Sequence, residues 1–140
     1  MKKIMMKIIG KQILEDQQQD QMEFVTEGDL YEKNNALYLI YEESEISGMP
    51  GFKTRLKITD DTVKMKRIGK GVAGTEMEFQ LGKRYTGFYH TPYGNFEMEV
   101  LTSRLENSLT AEGTGSVHID YNMSLKGLVQ SRNELSIEIL

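Results

Sequence analysis

Residues 36–69 read ALYLIYEESEISGMPGFKTRLKITDDTVKMKRIG. Within them Phe52, Thr54, Leu56 and Ile58 alternate with Lys53, Arg55 and Lys57. A period of two is that of a strand with one face buried and the other in water. Val63 and Met65 alternate with Lys64 and Lys66 in the same way. Asp60-Asp61, between the two runs, has the length and composition of a hairpin turn. Upstream, Ala36–Glu45 forms a strand rich in tyrosine and aliphatic residues, ended by Ser47-Gly48-Met49-Pro50-Gly51. Two successive hairpins thus occupy the centre of the chain.

Toward the N-terminus, Ile4–Leu14 and Met22–Glu32 read as strands. The polar run EDQQQDQ at 15–21 between them has no apolar spacing that would bury a helix. Lys33-Asn34-Asn35 supplies a turn, because asparagine tolerates the left-handed conformation. Toward the C-terminus, strands are predicted over Thr75–Leu81, Arg84–Thr91, Asn95–Arg104, Gly113–Leu125 and Val129–Leu140. Gly82-Lys83 reads as a two-residue turn and Pro92-Tyr93-Gly94 as a three-residue hairpin loop. GKGVAG at 69–74 reads as a loop; it lacks the Lys-Ser/Thr and the helix of a phosphate-binding loop. Ten consecutive strands with short turns predict an all-β protein. The architecture expected is an antiparallel up-and-down β-barrel of eight to ten strands, since closure removes exposed sheet edges. A two-sheet sandwich is the alternative.

The 140 residues read as one domain, 1–140, long enough to bury a core. Without cysteine there is no disulfide framework or thiol chemistry, and two distant histidines argue against a zinc site. No metal and no cofactor is therefore expected. The net charge of −4 argues against a nucleic-acid partner. The apolar run Met1–Gly10 is interrupted by Lys7 and precedes no small-residue cleavage site, so it is not read as a secretory signal. No stretch approaches membrane-spanning length, and no membrane partner is expected. These features predict a cytoplasmic protein, bacterial in origin. Nine methionines suit adaptable core filling.

Turn readings assign faces, because directly opposed residues of an antiparallel pair share one. The Gly82-Lys83 turn sets Phe79 opposite Thr86 and Met77 opposite Phe88. The loop at Pro92 sets Phe88 opposite Met98 and His90 opposite Phe96. The expected core is Leu56, Phe79, Phe88, Phe96, Met98, Ile119 and Ile137. Four ionisable residues share this inward face: Glu42, Arg67, Arg84 and His90. An unpaired buried charge is costly, so they must pair internally, reach water at the barrel mouth, or hold a ligand. Outside, Lys57 falls opposite Lys64 and Arg55 opposite Lys66, with Glu43 and Glu45 as counter-charges. Tyr41 is the one aromatic residue expected among these cations. Tyr85 and Tyr89 are expected outside, flanking Gly87. Ser131 and Asn133 point inward near one end of the last strand if Leu125 pairs with Val129.

At YEESEISGMPGFKTRLKI (Tyr41–Ile58), HTPYG (His90–Gly94) and SRNELSIEI (Ser131–Ile139) the chain resembles the uncharacterised bacterial YwiB-like family. The resemblance spans nearly the whole chain. It implies a calycin-like β-barrel, related in architecture to lipocalins. It implies no activity and no catalytic residues. Calycin likeness suggests a small-molecule ligand by fold analogy alone.

Two functions are weighed. The first is a small-molecule binder using the barrel interior, with Glu42, Arg67, Arg84 and His90 as candidate ligand-binding residues. The second is a non-enzymatic interaction or structural protein, a homodimer joined through an outer sheet face. An enzyme ranks behind both, because no nucleophile, base and orienting group can be placed together.

Overall fold

Ten strands follow one another along the chain: β1 (Lys2–Leu14), β2 (Gln19–Lys33), β3 (Ala36–Glu42), β4 (Phe52–Ile58), β5 (Thr62–Gly69), β6 (Val72–Gln80), β7 (Arg84–Thr91), β8 (Gly94–Asn107), β9 (Ser116–Leu125) and β10 (Val129–Ile139). This computed structural model describes residues 1–43, 51–69, 72–91, 94–126 and 129–140. The expected turn at 47–51 and the expected loop residues Pro92 and Tyr93 fall mostly or wholly outside them.

All ladders are antiparallel and form one sheet in the order β6-β5-β4-β3-β2-β1-β10-β9-β8-β7. β1 joins the two halves by pairing with both β2 and β10. The sheet curls until its end strands, β6 and β7, pack on each other without a hydrogen-bonded ladder. The result is a nearly closed ten-strand barrel with one seam, and no helix among the described residues. Leu81 forms a parallel bridge to Thr102, and the Gly82 N–H donates to the Thr102 carbonyl at 3.0 Å. The seam's end is therefore tied to β8. Glycine suits that corner, where φ is +75°.

The alternation that predicts the strands also fills the core. Leu56 and Ile58 of β4, Val63 and Met65 of β5, and Met77 and Phe79 of β6 are all buried. The Asp60-Asp61 reading of register is correct: Ile58 faces Val63, Leu56 faces Met65, and Thr54 faces Arg67. So is the Leu125–Val129 pair. Phe79, Met98, Leu56, Ile119 and Ile137 are core residues as expected, and Phe96 is half-buried.

Two strands lie in the opposite phase to the one expected. In β7–β8, Thr91 pairs with Gly94, His90 with Asn95 and Phe88 with Glu97. The connection is one residue shorter than the three-residue loop read from Pro92-Tyr93-Gly94. A slip of one residue turns every side chain to the other face. Phe88 is consequently 55% exposed rather than core, while Tyr85 and Tyr89 pack against the interior. Nor do β6 and β7 form the hairpin expected at Gly82-Lys83. In β3, Leu39 and Tyr41 point inward, because Leu39 faces Leu56 and Tyr41 faces Thr54. The expected loop at 69–74 is also shorter, since Gly69 pairs with Val72.

Candidate functional site

The phase of β3 decides which carboxylate enters the barrel. Glu42 faces Lys53 on the outside and is exposed. Glu43, one residue on, is turned inward with its side chain 2% exposed. Its backbone N–H donates to the Phe52 carbonyl at 2.8 Å, which continues the β3–β4 pairing past the end of β3. Thr54 Oγ1 donates to Glu43 Oε1. Arg67, inward on β5 as expected, places Nε 4.0 Å from Glu43 Oε1, with its side chain 22% exposed. The pair is loose: Arg67 Nε and Glu43 Oε2 make no hydrogen bond. An arginine cannot shed its charge, so the guanidinium faces the cavity as a permanent cation.

Two tyrosines, Tyr41 buried and Tyr121 half-buried, respond to these charges. The Tyr41 hydroxyl is held well above the usual phenol range, first by burial and then by the Glu43 charge, with Arg67 partly opposing. Burial also raises Tyr121, again with Arg67 opposing. Tyr121 is fixed by a tilted ring contact with Phe79, centroids 4.7 Å apart.

Arg67, Tyr89 and Tyr121 border a cavity of about 490 Å³. Met22, Met65, Met77 and Met123 supply much of its apolar wall, Asn133 a buried amide, and Asp20 and Gln21 an exposed rim. Asn133 Nδ2 donates to Ser131 Oγ at 3.0 Å along the same strand. Both side chains are buried as expected, but they bond to each other rather than across the barrel.

Of the four expected site residues, only Arg67 reaches this cavity. Glu42, Arg84 and His90 point away from it. Arg84 lies 4.0 Å from Glu99 on the outer face of β7–β8. There, with Asn122 and Arg132, it lines an outer groove of about 610 Å³. His90 Nδ1 lies 2.7 Å from Asn95 Oδ1. The missed residues are Glu43, Tyr89 and Tyr121. For Glu43 the signal was a pair of adjacent glutamates, and only the pairing with β4 tells which one enters.

A second group of ligand-type side chains sits on the outside of β9 and β10. Donor atoms of His118, Asp120 and Glu134 lie within 4.8 Å of one another. His118 Nε2 is 2.7 Å from Asp120 Oδ1. Arg104 approaches Asp120 at 3.9 Å and Lys11 approaches Glu134 at 3.8 Å. Those cations already balance the carboxylates, so the group is an ion network.

A ten-strand antiparallel barrel with a mixed Met, Tyr and Arg interior defines the class, and sequence comparison gives the family. Residues 6–137 match the family described as "Domain of unknown function (DUF1934)", and the chain belongs to it. The chain is 30% identical over 114 residues to the "Uncharacterized beta-barrel protein YwiB" of Bacillus subtilis (strain 168), covering 81% of this chain and 77% of that one. It also superposes on the crystal structure of the ywiB protein from Bacillus subtilis with a TM-score of 0.74 at 25% identity, covering 99% of this chain and 93% of that one. The family resemblance and the barrel expected from the sequence are both confirmed.

Proposed function

We propose that the protein binds a small molecule inside its barrel, in the manner of a calycin-like fold. The observation that carries this reading is the cavity of about 490 Å³, within the size range of small-molecule sites. Its lining combines aromatic rings, adaptable thioethers and the permanent cation of Arg67, with Lys11, Asp20 and Glu134 also bordering it. Methionine side chains mould to irregular apolar shapes, and Arg67 offers charge-assisted hydrogen bonds to a carboxylate or similar acceptor. The ligand that fits is an amphipathic molecule with an apolar or aromatic body and one anionic group. Glu43 tunes the site by limiting how strongly Arg67 holds that group.

Thermal denaturation of the wild type and Arg67→Met against a panel of aromatic and aliphatic carboxylic acids tests this. A matching acid at about 100 times its dissociation constant adds about 2.7 kcal/mol. It should raise the melting temperature of the wild type and leave Arg67→Met unmoved. If no acid shifts the wild type, and native mass spectrometry of the protein from its own host finds no bound small molecule, the reading fails.

A further inference from the structure

The outer face of β4 and β5 carries Lys53, Arg55, Lys57, Lys64 and Lys66. Arg55 stands directly opposite Lys66, and Lys57 directly opposite Lys64. Like charges so placed oppose folding, yet the strip keeps two such pairs. Among the described residues only Lys66 has a carboxylate in ion-pair reach, Glu76 at 3.5 Å. On its other side Lys57 faces Tyr38 of β3. The Tyr38 ring stacks on Tyr31 of β2, centroids 4.9 Å and planes 5° apart. Both tyrosines are half-exposed. At the hairpin end of the strip a depression of about 190 Å³ is lined by Lys57, Lys64, Thr59, Thr62 and Glu78.

We infer that this face binds single-stranded nucleic acid. Side chains on one face of a strand recur about every 6.8 Å, a spacing comparable to the phosphate step of an extended single strand. The cations can therefore follow a phosphate backbone laid along β4 and β5. The stacked tyrosines border the strip where bases would project. A basic track beside aromatic platforms is how single strands are held without sequence preference. Tyr41, the one aromatic residue expected among these cations, is buried, and Tyr38 stands outside beside Lys57 instead. Glu42 lies opposite Lys53, and Glu76 and Glu78 lie opposite Lys66 and Lys64. These carboxylates flank the track and repel a phosphate chain laid across the strands, which favours one laid along them.

The strip spans about 14 Å from Lys53 to Lys57, so contact is short and binding weak. With about three phosphates engaged, log K should fall against log salt with a slope of about −2. Fluorescence anisotropy of labelled oligouridine and oligothymidine, titrated with the full chain at several salt concentrations, measures this. Lys57→Glu and Tyr38→Ala should each weaken binding about tenfold. Lys57→Glu turns a like-charge pair into an opposite one, so its melting temperature should not fall. Lys126→Glu, remote from the strip, should leave binding unchanged. Four results would each overturn the proposal. One is no binding at low salt. Another is binding insensitive to Lys57→Glu or Tyr38→Ala. A third is duplex bound as well as single strand. The last is Lys57-dependent capture of phosphatidylserine vesicles with no oligonucleotide bound.

Discussion

Replacing Arg67 by methionine keeps the aliphatic stem and removes the charge. Glu43 is then left with a side chain 2% exposed and, among the described residues, no cation in ion-pair reach. At the observed separation of 4.0 Å, two unit charges interact by about 4 kcal/mol at an effective dielectric of 20. The Arg67 side chain is 22% exposed, so water already screens part of that attraction. Arg67→Met should therefore cost about 3 kcal/mol, at the low end for breaking a buried pair. For a chain of 140 residues that corresponds to a fall in melting temperature of about 12 °C. Glu43→Gln leaves a cation that can still turn toward water, and should cost about 2 kcal/mol. In the double variant neither charge is stranded, so its loss should fall short of the sum of the two single losses by about 2 kcal/mol. Glu42→Gln, one residue away but outside, should change stability by less than about 0.5 kcal/mol. Urea unfolding of the four variants and the wild type reads all of these values. Additive single losses, or a larger loss for Glu42→Gln than for Glu43→Gln, would refute the assigned phase of β3 and the ion pair with it.

The phase of β7 has its own check: Phe79→Ala should cost about 3–5 kcal/mol, and Phe88→Ala, at an exposed site, about 1 kcal/mol or less. Denaturant midpoints that reverse this order would show that β7 is turned the other way. Alkaline stability follows from the buried phenols. Tyr41 and Tyr121 are raised above the ordinary value of 10.0 by burial, so folding favours their neutral forms. Their stabilisation is complete below the unfolded value and is lost as pH climbs through the raised folded value. Unfolding free energy should thus decline above about pH 10, with tyrosinate absorbance appearing in step with unfolding. Ionisation of all the tyrosines in the folded state, at ordinary pH values, would contradict the burial of these two.

How much of this was legible in the residues depends on how each strand is held. In β4 and β5 apolar and basic residues alternate over Leu56–Ile58 and again over Val63–Lys66, and the short turn between them leaves one register that buries a single face. Strand existence, the barrel and the inward position of Arg67 all follow from that local contrast. In β7 there is no such contrast, because Tyr85, Gly87 and Tyr89 on one face are no more apolar than Phe88 beside His90 on the other. Its phase is set by hydrogen bonding to β8, whose Met98 and Val100 are already committed to the core. The adjacent glutamates 42 and 43 pose the same problem: a long connection carries no parity, and pairing with β4 alone turns Glu43 toward Arg67 and Tyr38 toward Lys57. The seam between β6 and β7 is likewise a property of the closed barrel, since these two strands end a sheet that must curl through the eight strands between them before its edges pack. Side-chain alternation is local and could be read directly. Which face looks inward, where the pattern is silent, is decided by ladder partners distant in the chain, and the candidate site falls where that decision was made.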